Sequence, residues 1–259
     1  IGILLVGSFM VPAPSLAGEK GSVEGIFRLA GKAPAEAPGK IPERGGACAG
    51  KELPSAYEIS KDGGIANVVV WVEGAPQGGA PRLSKRDIVM SNDSCRVSPR
   101  VAVGLVGSDF VFKTDGARMH NFHLYLQWKE HDKVSQRPLK IGATVYNVTF
   151  PKGDREVRKP IKPFHTTREE TGIIKARCNL HPWEEATLLV FDHPYAAVTD
   201  AHGKFSLPDV PTGKYTLKWW HEVLLAGVFY FVYSQVRNFF GAGPESRVIA
   251  FEHARDIIA

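Results

Sequence analysis

Short runs of alternating apolar and polar residues, separated by turn residues, constrain the fold of this chain more than any other feature. Residues 66–72, 120–128, 143–150 and 186–191 are such runs, rich in the β-branched and aromatic residues that strands favour. Turn signals recur about every 8–12 residues, and glycine and proline supply 26 and 18 of the 259 residues. No long segment has helical periodicity. The pattern predicts an all-β protein that folds as an antiparallel sandwich.

The first residues resemble the end of a secretion signal. Residues 1–11 are apolar and uncharged, and the small residues Ser15 and Ala17 fit the positions that precede a signal-peptidase cut. We therefore predict a signal-peptide remnant over residues 1–17 and a periplasmic or otherwise exported protein. The alternative is an N-terminal helix that faces lipid or a partner. The apolar run is shorter than the roughly 20 residues that a membrane span needs.

Export changes the meaning of the three cysteines. An odd count in an oxidising compartment suggests one disulfide and one thiol with another use. Cys178 has a metal-like neighbourhood, whereas Cys48 and Cys95 do not. We therefore predict a Cys48–Cys95 disulfide; three unconnected buried thiols are the alternative.

The neighbourhood of Cys178 is a candidate metal site. Cys178 and His181 lie three residues apart on a short loop that Pro182 helps to bend, and His120 lies far upstream at the start of another alternating run. One thiolate and two imidazoles from separate strands are the donors of a trigonal His₂Cys copper site. A lone cysteine or histidine is more often an ordinary packed side chain, so the joint pattern carries the prediction.

These motifs resemble those of the cupredoxins, the small blue-copper β-sandwiches. In that family a His-Asn pair ends one strand, and a Cys-x-x-His loop follows a later one. His120-Asn121 is similar to the first element and Cys178-x-x-His181 to the second. The resemblance implies a cupredoxin-like fold, which is an antiparallel Greek-key sandwich, here with a further β-sandwich segment appended to it or interwoven with it. It also implies a type 1 copper ion and electron transfer.

More narrowly, the chain resembles exported bacterial proteins that join a plastocyanin-like core to a segment similar to carboxypeptidase regulatory-like domains. The pattern Gly203-x-Phe205-x-Leu207 followed by Pro211-x-Gly213-x-Tyr215 carries this resemblance. It implies a cupredoxin-like domain over residues 18–191, a regulatory-like β segment over 192–222 and a C-terminal tail over 223–259. The tail contains an apolar stretch that leaves its structure, and membrane contact, open.

The loop departs from the family pattern at one position. Relatives carry Met directly after the Trp of this loop as a weak axial ligand, whereas this chain has Glu184. A carboxylate is a harder ligand that favours Cu(II), or admits Zn(II); alternatively, Glu184 faces solvent. Met119 is a poor axial substitute because it neighbours His120 on the strand. We place His123 on the same strand face as His120, as a group that supports the ligands.

The predicted function is therefore an exported copper-binding protein with a mononuclear type 1-like site that carries electrons. Its partner is a redox protein, for which a cytochrome is one candidate. The eight basic residues between Lys152 and Arg177 are either a solvated loop or a surface that steers an acidic partner. The alternative function is a non-redox binding or assembly module with an empty or Zn-occupied site.

Other functions find little support. A net charge of +5 does not by itself indicate nucleic acid, and we expect none as a partner. The sequence has neither a Cys-x-x-Cys-His haem motif nor a phosphate loop. A Cys178–His nucleophile pair lacks a third orienting group and an oxyanion loop, so we expect no enzymatic activity. His193 and His221 are read as structural, with a second metal site as the minority interpretation.

Overall fold

The computed structural model is built almost entirely of strands. It describes residues 20–29, 39–53, 55, 58–74, 85–93, 95–128, 141–153, 155–167, 170–222 and 251–253. The strands, in chain order, are β1 (Lys20–Ile26), β2 (Val69–Glu73), β3 (Ile88–Asp93), β4 (Arg96–Ser98), β5 (Val101–Leu105), β6 (Asp109–Thr114), β7 (His120–Trp128), β8 (Thr144–Phe150), β9 (Glu156–Pro160), β10 (Glu170–Arg177), β11 (Glu185–Phe191), β12 (Ala196–Val198), β13 (Lys204–Pro211), β14 (Thr216–Trp220) and β15 (Phe251–His253). A 3-10 helix spans Glu43–Cys48. The prediction of an all-β sandwich is confirmed.

Two sheets form the sandwich that carries the candidate site. A five-stranded sheet has the order β5-β11-β10-β7-β8 and faces a four-stranded sheet of order β4-β3-β6-β9. Between them lies one apolar core to which alternate residues of both sheets contribute, including Met90, Phe112, Phe122, Leu124, Phe150, Ile174 and Leu188. The aromatic rings of Phe112 and Phe122 meet across this interface, with centroids 5.1 Å apart. The core holds the two sheets in register around the ends of β7, β10 and β11.

A second four-stranded sheet, of order β12-β2-β14-β15, covers the other face of the five-stranded sheet. Val69 and Trp71 of β2 pack with Val103 and Leu189, whereas Val70 and Val72 pack towards the β1–β13 pair. The strand is therefore buried on both faces, which explains its continuous β-branched sequence.

The order of strands could not be read from the sequence. Only three residues, Val106 to Ser108, join β5 to β6, yet β5 pairs with β11 and β6 pairs with β3, both in parallel. Likewise β1 pairs with β13 across most of the chain. The predicted domain limit at residue 191 stays a prediction, since strands from both ends of the chain build the second group of sheets.

A partly buried ion cluster links the segment after β14 to the five-stranded sheet. Glu222 accepts from Lys175 at 2.8 Å and from Arg100 at 3.0 Å, and Lys175 also donates to Thr187 at 2.8 Å. Burial tends to raise the pKa of the Glu222 carboxyl, but the two cations outweigh it and lower that pKa. The charge on Glu222 therefore stabilises the docking of this segment.

Cys48 and Cys95 form the predicted disulfide, with their Cα atoms 5.7 Å apart, and Cys178 is a buried free thiol.

The signal-remnant prediction and nearly all of the predicted tail lie outside the described residues. Within the tail only β15 is described, paired in parallel with β14. Among the described residues, no helix is long and apolar enough to cross a membrane.

Candidate metal centre

The loop between β10 and β11 carries three of the four candidate ligands. It is closed by backbone hydrogen bonds: the Cys178 N–H donates to the Glu184 carbonyl at 3.0 Å, and the Glu184 N–H donates to the His181 carbonyl at 2.8 Å. The Cys178 carbonyl accepts from the His181 N–H at 3.3 Å. These bonds turn the side chains of all three residues towards the same point between the sheets.

The fourth candidate, His120, begins β7 beside this loop. Its neighbour Asn121 links the two elements, because the Asn121 Oδ1 accepts from the Asn179 N–H at 2.8 Å. The Asn121 amide in turn donates to Asn147 on β8 at 2.9 Å. The start of β7 and the Cys178 loop are therefore held at a fixed separation.

The side chains of His120, Cys178, His181 and Glu184 converge within 4.8 Å of one another. The two histidine Nδ1 atoms are 3.1 Å apart, and the Glu184 Oε2 lies 3.1 Å from one and 3.2 Å from the other. The Cys178 sulfur lies 3.5 Å from the His181 Nδ1 and 4.0 Å from the His120 Nδ1. The structure thus brings together all four residues that the sequence singled out.

These spacings suit a small metal ion. In a tetrahedral zinc site the bonds are about 2.0–2.3 Å long. Two donor atoms of such a site therefore lie about 3.3 Å apart if both are nitrogen or oxygen, and about 3.6 Å apart if one of them is sulfur. The observed N···N and N···O separations are close to the first value. Glu184 Oε1 and His120 Nε2 are buried without a hydrogen-bond partner among the described residues. The donor set fits copper or zinc, both of which accept imidazole and thiolate.

The site is closed to solvent on most sides. His120, Cys178 and Glu184 are fully buried, while the His181 side chain keeps 17% of its surface exposed. The residues next to His181 and His120 along the chain, Leu180 and Met119, are about half exposed. The His181 edge is therefore the face of the site closest to solvent.

In the protein without a metal ion, His120 and Glu184 form a pair of opposite charges. Burial tends to lower the pKa of His120, but the hydrogen bonds and charges of Cys178 and Glu184 outweigh it and raise that pKa to about 9. Burial tends to raise the pKa of Glu184, but hydrogen bonds from His120 and Asn92 lower it. Burial, together with the nearby charges of His120 and Arg118, lowers the pKa of His181. At neutral pH, a protonated His120 therefore faces an ionised Glu184.

One sequence-based placement is wrong. His123 does not share a strand face with His120, because it lies three positions further along β7 and strand side chains alternate with a period of two. Its Nε2 instead pairs with Thr144 Oγ1 at 2.9 Å, and its ring contacts Tyr125. Met119 is exposed, as its position next to His120 requires.

The remaining histidines stay outside the cluster. His193 Nδ1 accepts from the Tyr195 N–H at 3.2 Å, which agrees with a structural role in a turn. His221 is buried and belongs to no metal-capable group among the described residues.

Two residues near the site were not identified from the sequence. Asn92, on β3, donates to Glu184 Oε2 at 2.7 Å. The Arg118 guanidinium donates to the Cys48 sulfur at 2.8 Å, beside a cluster in which Cys48 and Cys95 pack with Trp183. For Asn92 a signal existed: it is the polar member of an inward-facing row whose other members, Ile88 and Met90, are apolar.

Comparisons with known proteins find structural neighbours but no matching sequence family. No protein-family model matches the sequence, and no curated protein sequence matches it significantly. Among solved structures, a purple cupredoxin from Nitrosopumilus maritimus aligns with 18% identity and a TM-score of 0.28, over 40% of this chain and 98% of its own. A reduced amicyanin mutant aligns with 15% identity and a TM-score of 0.26, over 47% and 98%.

A copper-containing nitrite reductase from Thermus scotoductus aligns with 13% identity and a TM-score of 0.26, over 45% of this chain and 25% of its own. Likenesses at these TM-scores establish neither a family nor a function. Membership of the cupredoxins, and the resemblance of residues 192–222 to a regulatory-like domain, stay predictions.

Proposed function

We propose that this protein holds one copper ion with His120, Cys178, His181 and Glu184 and carries single electrons between partner proteins. The observation that carries the proposal is the convergence of a buried thiol, two imidazoles and a carboxylate within 4.8 Å. Such a group is costly to bury without a cation. In the metal-free protein the proton on His120 provides that positive charge.

The chain's own residues would hold the ligands in place. The closed Cys178 loop, the Asn121 bridge and the core beneath them fix the donors from three directions. A copper ion bound there supplies a one-electron couple. Because a loop closed by backbone hydrogen bonds and the start of β7 carry the donors, little reorganisation of the protein would accompany a change of charge. Leu180 and Met119, the chain neighbours of His181 and His120, are half exposed and offer apolar contacts for a redox partner.

Glu184 distinguishes this site from a blue-copper centre. In blue-copper sites the axial ligand is weak and distant, whereas here the carboxylate oxygen lies as close to the two imidazole nitrogens as they lie to each other. A hard, anionic fourth donor stabilises Cu(II) over Cu(I). We therefore expect a lower reduction potential than a thioether in the same place would give.

A zinc site is the second candidate, and the same observation favours it. The three nitrogen and oxygen donors lie 3.1–3.2 Å apart, close to tetrahedral spacing, and the thiol is a fourth donor beside them, as in structural zinc sites, which have four protein ligands. In that case the protein is a non-redox binding or assembly module. The two candidates share the ligands and differ in the ion.

Copper titration followed by protein-film voltammetry separates the candidates. If the copper proposal holds, Cu(II) binds one to one, produces a visible thiolate-to-copper charge-transfer band and gives a reversible one-electron wave. Glu184→Met should then raise the potential of that wave. Copper that binds without a reversible wave, together with tighter binding of Zn(II), would favour the zinc candidate.

The remaining aspects of function stay proposals. The Cys48–Cys95 disulfide supports an oxidising, exported compartment. The redox partner and the absence of enzymatic activity rest on the sequence alone. Part of the basic stretch faces other residues, since Lys175 is paired with Glu222. Lys152, Arg155 and Lys162 are exposed and are available for steering.

A further inference from the structure

Asn92 is a buried amide that reaches a candidate ligand from the opposite sheet. Its side chain is fully buried, and its Nδ2 donates to Glu184 Oε2 at 2.7 Å. That distance is shorter than those from the same oxygen to His120 and His181, at 3.1 and 3.2 Å. The contact therefore joins β3 of one sheet to the ligand loop of the other.

The place of Asn92 in β3 is unusual for a polar residue. The strand alternates, and the inward positions at Ile88, Met90 and Asn92 are all buried. An amide in such a row costs stability unless it is hydrogen-bonded. β3 is also held in register there, because Asn92 pairs with Val97 of β4 and the Cys95 disulfide lies in the connecting turn.

We propose that Asn92 positions the Glu184 carboxylate as a metal donor and thereby sets the affinity of the site. This inference rests on the proposed metal-binding function. Asn92 donates to the same oxygen that faces both imidazoles, so it fixes the rotation of the carboxylate and leaves one lone pair of Oε2 for an ion. Residues that orient ligands in this way commonly contribute 10–100-fold to metal affinity.

The competing explanation is that Asn92 only fills the core. The two explanations differ in one respect: a positioning residue acts through Glu184, whereas a filler acts through the fold. A double-mutant cycle on Asn92 and Glu184 separates them. Met90→Leu provides the matched control, because Met90 occupies the adjacent inward position of β3 and is fully buried but is no partner of Glu184 among the described hydrogen bonds.

The experiment measures Zn(II) affinity by competition with a chromophoric chelator. We expect Asn92→Leu to weaken binding by about 10–100-fold and to change the charge-transfer spectrum of the Cu(II) form. In a Glu184→Met background the same substitution should change the affinity less than about 2-fold. Met90→Leu should leave the affinity unchanged. Asn92→Ser, which cannot reach Glu184, tests the same point if the leucine variant folds poorly.

Equal affinity of Asn92→Leu and wild type would overturn the inference, as would an equal loss in both backgrounds. A wild-type protein that binds neither Zn(II) nor Cu(II) would instead overturn the proposed function. In that case the metal-free protein still decides the role of Asn92 through hydrogen exchange of its side-chain amide. Exchange that is slow in wild type and fast in Glu184→Met supports positioning of the carboxylate, and fast exchange in both excludes it.

Discussion

Replacing Glu184 by glutamine removes one buried negative charge and should change the protonation of His120. In the metal-free protein, His120 Nδ1 donates to Glu184 Oε2 at 3.1 Å. Burial would lower the pKa of His120, but Cys178 and Glu184 raise it to about 9. Without the carboxylate, the interaction with Cys178 is left to oppose the lowering of this pKa by burial. We therefore expect the pKa of His120 to fall below its value in the wild-type protein.

The expected magnitude is about one proton. A group with a pKa of about 9 is about 99% protonated at pH 7, whereas one at the ordinary histidine value of about 6.5 is about 24% protonated. Metal binding must displace the proton from Nδ1. For a variant in which the pKa of His120 falls to that ordinary value, wild-type protein should therefore release about 0.8 proton more than Glu184→Gln on binding Zn(II) at pH 7.

Calorimetric titration of Zn(II) in buffers of different ionisation enthalpy counts the protons released. NMR titration of the His120 ring in the metal-free proteins measures the pKa itself, and it applies even if the variant binds Zn(II) too weakly for calorimetry. The control is His123→Ala, which removes a histidine that contacts Thr144 rather than the cluster.

The sign of the stability change follows from the same shift. Because the pKa of His120 is raised on folding, its contribution is complete below about pH 6.5 and is lost as the pH rises through about 9. Metal-free wild type should therefore lose up to about 3 kcal/mol from this group across that window. Equal proton release by wild type and Glu184→Gln, with an unchanged pKa of His120, would refute the charge-pair account of the site.

Three further predictions concern the rest of the molecule. Replacing both Cys48 and Cys95 by serine opens a loop of 47 residues, so urea denaturation should show a loss of about 4 kcal/mol; no loss would mean that the loop is constrained otherwise. Glu222→Gln should cost about 2 kcal/mol at pH 7. Since the pKa of Glu222 is lowered on folding, this difference should shrink as the pH falls through its folded pKa, and a pH-independent difference would argue against the ion cluster. His123→Ala should leave the Cu(II) charge-transfer band unchanged, and its loss would make His123 a ligand.

Local features of the fold could be predicted because their causes are local. The alternation of residues 120–128 coincides with β7, since period-two burial depends only on neighbouring residues. Cys178 and His181 could be paired for the same reason, as three residues of loop keep them together. The same period of two puts His123 on the strand face opposite to His120, where it pairs with Thr144.

Two long-range features could not be predicted because nothing in the spacing encodes them. Asn92 reaches Glu184 from a strand 92 residues away in the sequence, and only the packing of two sheets brings them together. The pairing of β1 with β13 likewise depends on which apolar faces remain to be covered. In both cases the sequence shows which residues are apolar, but not which sheet will cover them.

Copper-edge X-ray absorption of the wild-type protein, loaded with one equivalent of Cu(II), tests the proposed ligand set most directly. We expect one sulfur at about 2.3 Å or slightly less, and nitrogen and oxygen donors near 2.0–2.2 Å, with the multiple-scattering pattern of two imidazoles. The sulfur shell should disappear in Cys178→Ser. A wild-type spectrum without a sulfur neighbour, or one that Cys178→Ser leaves unchanged, would contradict the assignment of this site.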